Sequence, residues 1–530
     1  MSRKKQTRTI VGNIISYRTR KLLAAGVSLA MAVALTGCSL KSSVYNKISS
    51  ITDTSNTYHA NSSDDGNQDF DDYMKELFVE AVTTDTVSLH FSVKNPEAYG
   101  ITDYDITWGE DPFSEETINK DKTDINDVIS TLQSYDYDSL SESQQLTYDI
   151  LMENEETSLK FYDYLDYYEP FAYTSGVQTN FTITMAEYAF YTEEDVQNYL
   201  ILMDELPEYM DYYLDFEKQR SENGYFMSDA SAVSDYEEQN KDIVINQILP
   251  EYEKIIDAFE EMKGSGTNEN GLYYYDQGQE YYEYLLESDV GTDMTPDEII
   301  DLLDSKLASL MTEYMMSAYT DYDAYEDFYN EDFSYPSTDP STILSSLEVS
   351  ASNSFPICDG MDYSVVYVDK SLEDSLSPAF CFSPCIDDYL NNNIYINGGS
   401  TDDSSIWSTL CHEGYPGHLY QFAYFYSTNP APIRTALNFN GYSEGWAEYV
   451  EMMSFDWAIS EDYDSAIANF AEINDRLNLY VSARIEIGVN YQGWTVSDCS
   501  DYLNDMGFNG DAAEDIFDYV VAEPANYQMY

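Results

Sequence analysis

Two of the four histidines fall in one short string, Cys411-His412-Glu413-Gly414-Tyr415-Pro416-Gly417-His418. Imidazoles beside a carboxylate are the groups with which proteins hold zinc or move a proton. A zinc-peptidase helix spaces its two imidazoles at i and i+4, on one face. Here the separation is six residues, about 600° around an ideal helix, which leaves the rings about 120° apart. The two could share a metal only if the helix breaks between them. Pro416-Gly417 supplies a break, since proline disrupts the hydrogen-bond ladder and glycine permits unusual backbone angles. Upstream, Ile406, Trp407, Leu410 and Cys411 form an apolar stripe, as expected of a buried helix that delivers His412.

A second string follows, with Glu444 26 residues after His418: Tyr442-Ser443-Glu444-Gly445-Trp446-Ala447-Glu448-Tyr449-Val450-Glu451. Glu444, Glu448 and Glu451 recur at i, i+4 and i+7, one face of a helix, while Trp446, Tyr449, Val450 and Met453 suggest a buried second face. Carboxylates so stacked repel one another in a bare helix, although an acidic face is common in a chain with 98 acids. Together the strings offer two imidazoles and a carboxylate, the ligand set of a catalytic zinc with a position left for water. Zinc would lower the pKa of that water, and Glu413 could take its proton and pass it to a leaving amine. The plainer alternative is a buried histidine pair satisfied by neighbouring acids. A thiol hydrolase built on Cys411 beside His412 is disfavoured, because adjacent helical positions diverge by about 100°. His59 and His90 stand alone, and the alternation of Val87, Leu89, Phe91 and Val93 predicts a strand face for His90.

The elements that must position these groups are mainly helical. Ser141-Glu142-Ser143-Gln144 and Thr295-Pro296-Asp297-Glu298 have the form of capping boxes, the second with proline at the first helical position. Ile299, Leu302, Leu303, Leu307, Leu310 and Met311 then recur at helical spacing. Tyr209 to Phe216 reads as an aromatic helix face. Strand candidates are short and few: Ser364 to Val368 and Asn393 to Asn397. The expected fold class is mainly α, one large helical domain over residues 70–530 with a few short strands, in which two lobes about a cleft are possible.

The 530 residues carry 98 Asp+Glu against 24 Lys+Arg, a net charge of −74. Nothing in that balance could neutralise phosphates, so a nucleic-acid partner is excluded, and docking on an anionic membrane surface is disfavoured. With 43% apolar and 15% aromatic residues the chain can still build a core. Residues 1–37 hold seven of the cations and no acid, and their apolar run from Leu22 to Leu35 is too short to span a bilayer but suits a signal peptide. The run ends in Leu35-Thr36-Gly37-Cys38, which resembles the bacterial lipobox, with the Cys38 thiol as the site of lipid attachment. Cleavage there leaves 493 residues and a net charge of −81. Residues 38–69, rich in Ser, Asn, Asp and Thr, read as a tether lifting the domain off a membrane to which only the lipid holds it. Of the five later cysteines, Cys381 and Cys385 could form a short bridge or half of a zinc site.

The two strings, as His412-Glu413-x-x-Pro416-Gly417-His418-x-x-Gln421 and Glu444-Gly445-Trp446-Ala447-x-Tyr449-x-Glu451, resemble a widespread bacterial family that includes many lipoproteins, domain of unknown function 885. Pro96-Tyr99-Gly100 and Arg484 through Gly493-Trp494 extend the resemblance over most of the chain. The resemblance implies a helical fold similar to zinc-dependent oligopeptidases, with the His-Glu string lining a deep cleft. It implies His412, His418 and Glu444 as zinc ligands, Glu413 as general base and Glu451 as a group that orients a ligand. One departure matters. Where family members carry a histidine shortly before the Gly-Trp pair, Arg484, Glu486, Gly488 and Asn490 stand in register. Asn490 can donate to a developing oxyanion but cannot carry a proton or a positive charge. Tyr491 could take the oxyanion role, and Arg484 could anchor a substrate carboxylate or pair with an acid. The leading expectation is a zinc peptidase on the outer face of a cell membrane, acting on peptides. The rival is a lipoprotein that binds peptides or other solutes in the same cleft without catalysis.

Overall fold

The computed structural model describes residues 66–530 apart from 173–175, 228–247, 331–332, 334–336, 369, 371–377, 400–405, 438 and 462. The signal segment, Cys38, His59 and residues 38–65 of the expected tether lie outside the described residues.

Helices dominate, in chain order α1 (Gln68–Val82), α2 (Thr86–Ser92), α3 (Glu115–Ser134), α4 (Glu142–Phe161), α5 (Val177–Ala186), α6 (Glu193–Asn223), α7 (Ile248–Met262), α8 (Gly278–Leu285), α9 (Pro296–Thr320), α10 (Tyr322–Tyr329) and α11 (Pro340–Ala351). Three short strands follow, β1 (Asp362–Tyr367), β2 (Ala379–Cys381) and β3 (Asn391–Ile396). The chain then returns to helix as α12 (Ile406–Glu413), α13 (His418–Ser427), α14 (Asn440–Ser460), α15 (Ser465–Asn490), α16 (Val496–Met506) and α17 (Ala513–Ala522). α1 starts two residues inside the segment expected to be tether, because the Asn67 side chain accepts the Phe70 N–H and caps it. The capping boxes expected at Ser141/Gln144 and Thr295/Glu298 both form.

Two expectations are corrected. His90 lies on α2, not on a strand. The Asp85 carboxylate accepts from both the N–H and the hydroxyl of Ser88, at 2.7 and 2.6 Å, and this cap starts a helix that outweighs the β-preferring alternation. Its imidazole stacks on Tyr188 with ring centroids 3.8 Å apart. Cys381 and Cys385 are free thiols, as are Cys358, Cys411 and Cys499. Cys381 lies buried on β2, and the Cys385 Sγ stands 3.5 Å from the Phe91 carbonyl.

The sheet has the order β1-β3-β2, with β1 parallel to β3 from Asp362↔Asn391 to Tyr367↔Ile396 and β2 antiparallel to it from Ala379↔Ile396 to Cys381↔Ile394. β2 escapes a reading by alternation because all three of its residues are buried. The long α15 organises the rest. Every residue from Val481 to Asn490 is buried, so the helix is enclosed all round. Its C-terminal half packs Val481, Ile485 and Val489 with Leu303 and Leu307 of α9 and Phe517 and Val520 of α17. Its N-terminal half joins a second core with Trp407 and Leu410 of α12, Val450 and Phe455 of α14 and Ile394 of β3. α12 and α14 are thereby set side by side. No described helix is long and apolar enough to cross a membrane.

Candidate metal centre

His412 and Glu413 close the last turn of α12, and His418 opens α13. The break between them is built as the residue types require. A side chain at Gly417 would put its Cβ 1.6 Å from the His412 carbonyl oxygen, so only glycine lets the chain double back there. The Tyr415–Pro416 peptide is cis. With the helix broken, the rings meet edge to face with centroids 4.9 Å apart.

α14 lies alongside and supplies the carboxylates. Glu444 Oε2 is 3.4 Å from His412 Nε2 and 3.6 Å from His418 Nε2. Two ligands of a tetrahedral zinc, each bound at 2.0–2.1 Å, sit about 3.3 Å apart, so both separations suit a shared cation. The three ligand atoms all lie within 4.8 Å of one another, and the three residues are buried. His418 Nε2 and Glu444 Oε2 have no hydrogen-bond partner among the described residues. Buried polar atoms without partners are costly, and a cation at their meeting point would satisfy both. The residues fit a zinc ion.

The other nitrogen of each imidazole is held from behind. Glu451 Oε2 is 3.1 Å from His412 Nδ1, and the Ser443 hydroxyl is 3.2 Å from His418 Nδ1. Such outer partners fix the ring and its tautomer and direct each Nε2 toward Glu444. Glu448 stands further off, 3.9 Å from His412 Nδ1. Ser443 was not singled out in the sequence. Its position beside Glu444 was the available signal.

Electrostatics separate the two central carboxylates. Burial pushes Glu444 up, but the His418 and His412 imidazoles outweigh it and hold the group at about 2. Burial raises Glu413 to about 7 against the opposing pull of the same imidazoles. One carboxylate is a fixed anion and the other can exchange a proton near neutrality, which is the division of labour that acid–base chemistry needs. Burial lowers and the Glu444 and Glu451 carboxylates raise His412, with the balance upward.

The strapping of α12 onto α14 is continuous. The Trp407 indole donates to the Ser454 carbonyl at 3.0 Å, and the Cys411 thiol to the Val450 carbonyl at 3.3 Å. Burial raises the Cys411 thiol well above its ordinary value, so it has no thiolate to offer. A cavity of about 1630 Å³ runs from Thr84, between α1 and α2, to Tyr530 and reaches the cluster at Ser443 and Glu444. The two histidines and Glu413 are not among its lining residues.

Arg484, Asn490 and Tyr491 are not brought to this cluster. Arg484 donates to Asp304 at 3.0 Å and to Gln492 at 3.1 Å and stacks over Trp494. Asn490 is fully buried, its Oδ1 accepting from the Leu272 N–H and its Nδ2 donating to the Val520 carbonyl. The Tyr491 hydroxyl donates to Glu283 at 2.9 Å.

The family described as a bacterial protein of unknown function, domain of unknown function 885, matches residues 97–246 and 217–515. The chain belongs to this family. A candidate lipoprotein of Colwellia psychrerythraea has a solved structure that superimposes with a TM-score of 0.70 at 14% identity, covering 87% of this chain and 90% of that one. A candidate lipoprotein of unknown function from Shewanella oneidensis superimposes with a TM-score of 0.54 at 12% identity, covering 87% and 91%. At these identities the likeness is one of fold. No curated protein matches the chain.

Proposed function

We propose that this member of the domain of unknown function 885 family is a zinc-dependent peptidase, held at the outer face of a cell membrane by a lipid on Cys38. The observation that carries the reading is the buried convergence of His412 Nε2, His418 Nε2 and Glu444 Oε2, two of which lack any hydrogen-bond partner among the described residues. His412, His418 and Glu444 would hold the ion. Bound zinc supplies a Lewis acid that lowers the pKa of a water and polarises a substrate carbonyl.

The protein's own groups do the rest. Glu451 and Ser443 fix the two imidazoles. Glu413, buried and raised to about 7, takes a proton from the attacking water and returns it to the departing amine. The cavity of about 1630 Å³ reaches Glu444 and would hold an extended peptide there. The lipid anchor is supported by the Leu35-Thr36-Gly37-Cys38 string and by the description of both structural relatives as candidate lipoproteins.

Glu413→Gln should retain zinc and the fold while hydrolysis of a mixed peptide library falls at least 100-fold. Unchanged hydrolysis with zinc still bound would sink the reading. A second reading, peptide or solute binding without catalysis, is favoured by Asn490, whose polar atoms are both spent on structure. It requires a wild-type protein that binds peptides and cleaves none.

A further inference from the structure

Amide hydrolysis needs a donor for the oxyanion that develops at the carbonyl. The α15 residues expected to supply it spend their polar groups elsewhere. What they hold in place is informative. The Glu486 carboxylate accepts from the Tyr527 N–H at 3.2 Å and from the Gln528 side-chain amide at 3.0 Å. The same Gln528 amide donates to the Ala483 carbonyl at 2.8 Å. Asn490 ties down α17, which leads into this segment, through the Val520 carbonyl. Ala525 is fully buried with φ at +65°, a left-handed conformation that an alanine keeps only where its surroundings enforce it. Tyr527 and Gln528, next to the last two residues, are therefore fixed to α15 by backbone and side-chain bonds.

That clamp has a destination. Glu523, Pro524, Asn526, Met529 and Tyr530 all line the cavity. The Met529 carbonyl passes over α14 at Gly445, the neighbour of Glu444. The Tyr530 ring then lies against His412, with centroids 6.4 Å apart and planes inclined by 33°. Tyr530 thus belongs both to the cavity wall and to the surroundings of a candidate ligand, and it brings a hydroxyl donor.

We propose that Tyr530 is a catalytic residue of this site, its phenol donating to the substrate carbonyl oxygen as negative charge develops there. Glu486 is the positioning residue that presents it. The inference rests on the peptidase reading and adds a group that no sequence motif marks. No bond to Tyr530 forms or breaks; the hydroxyl donates a hydrogen bond and keeps its proton.

The test compares wild type with Tyr530→Phe, which keeps the ring and removes the donor. Zinc content, thermal stability, kcat and KM are measured on one peptide substrate cleaved by the wild type. The expected result is unchanged zinc and stability, KM within about threefold, and kcat lowered about 100-fold, the usual effect of removing one oxyanion donor. Tyr530→Phe with wild-type kcat overturns this inference and leaves the peptidase reading standing. Loss of zinc in Tyr530→Phe would also overturn it, by showing a role in building the metal site. A wild type that cleaves nothing overturns the peptidase reading first, and this inference with it.

Discussion

The Trp446 indole donates its N–H to the carbonyl of Pro416 at 2.8 Å, tying the acidic helix α14 to the turn that separates the two histidines. The bond joins the two sequence strings physically: the tryptophan of one holds open the helix break of the other. Its ring also packs against Phe355 and Tyr420, so the turn is clamped by both a hydrogen bond and aromatic contact.

Trp446→Phe should keep most of that packing and lose the hydrogen bond. A cost of about 1 kcal/mol is expected for one such bond, read from urea denaturation of the zinc-free protein. Zinc affinity should fall as well, because the turn sets the distance from His412 to His418. Unchanged affinity would mean that the turn holds its shape without the indole.

Glu451→Gln tests the outer support of His412. Loss of a carboxylate behind a ligating imidazole typically costs 10–100-fold in metal affinity, and a decrease in that range is expected in competition with a chelator. Glu448→Gln should have a smaller effect, given its 3.9 Å separation from the same nitrogen. Equal losses in the two variants would point to diffuse charge in place of a specific contact.

Stability should fall as pH rises from about 5 to about 8. Burial raises Glu155 to about 8 and Glu486 to about 8, well above the carboxylate range of an unfolded chain. Between those limits the folded protein binds protons that the unfolded chain has released, so the slope of unfolding free energy with pH is negative. Denaturation midpoints at the two pH values measure it. Glu155→Gln should flatten the slope; a steeper or unchanged slope would show that Glu155 is ionised in the folded state.

The sequence made the centre legible where chemistry and spacing coincide. A separation of six with Pro416-Gly417 inside it demanded a break, and Gly417 sits where any side chain would strike His412. Glu444 and Glu451 on one helical face required only the helix period. Long-range placement was not legible. Asn490 and Tyr491 stand near a register that pointed to the reaction, yet the enclosure of α15 turns the polar groups of Asn490 to Leu272 and Val520, and Tyr491, just past the helix end, donates to Glu283 through a solvent-exposed hydrogen bond. Tyr530 carries no local signal, since only folding brings residues 412 and 530 together. His90 failed for a local reason, a two-residue alternation overridden by the Asp85 cap.

The most direct measurement is the metal content of the purified full chain, grown with zinc supplied and dialysed before elemental analysis. The account predicts one zinc per chain in the wild type and in Glu413→Gln, and loss of zinc with retained helical content in His418→Ala and Glu444→Ala. A wild type without stoichiometric zinc, or full zinc retention in both ligand variants, would contradict it.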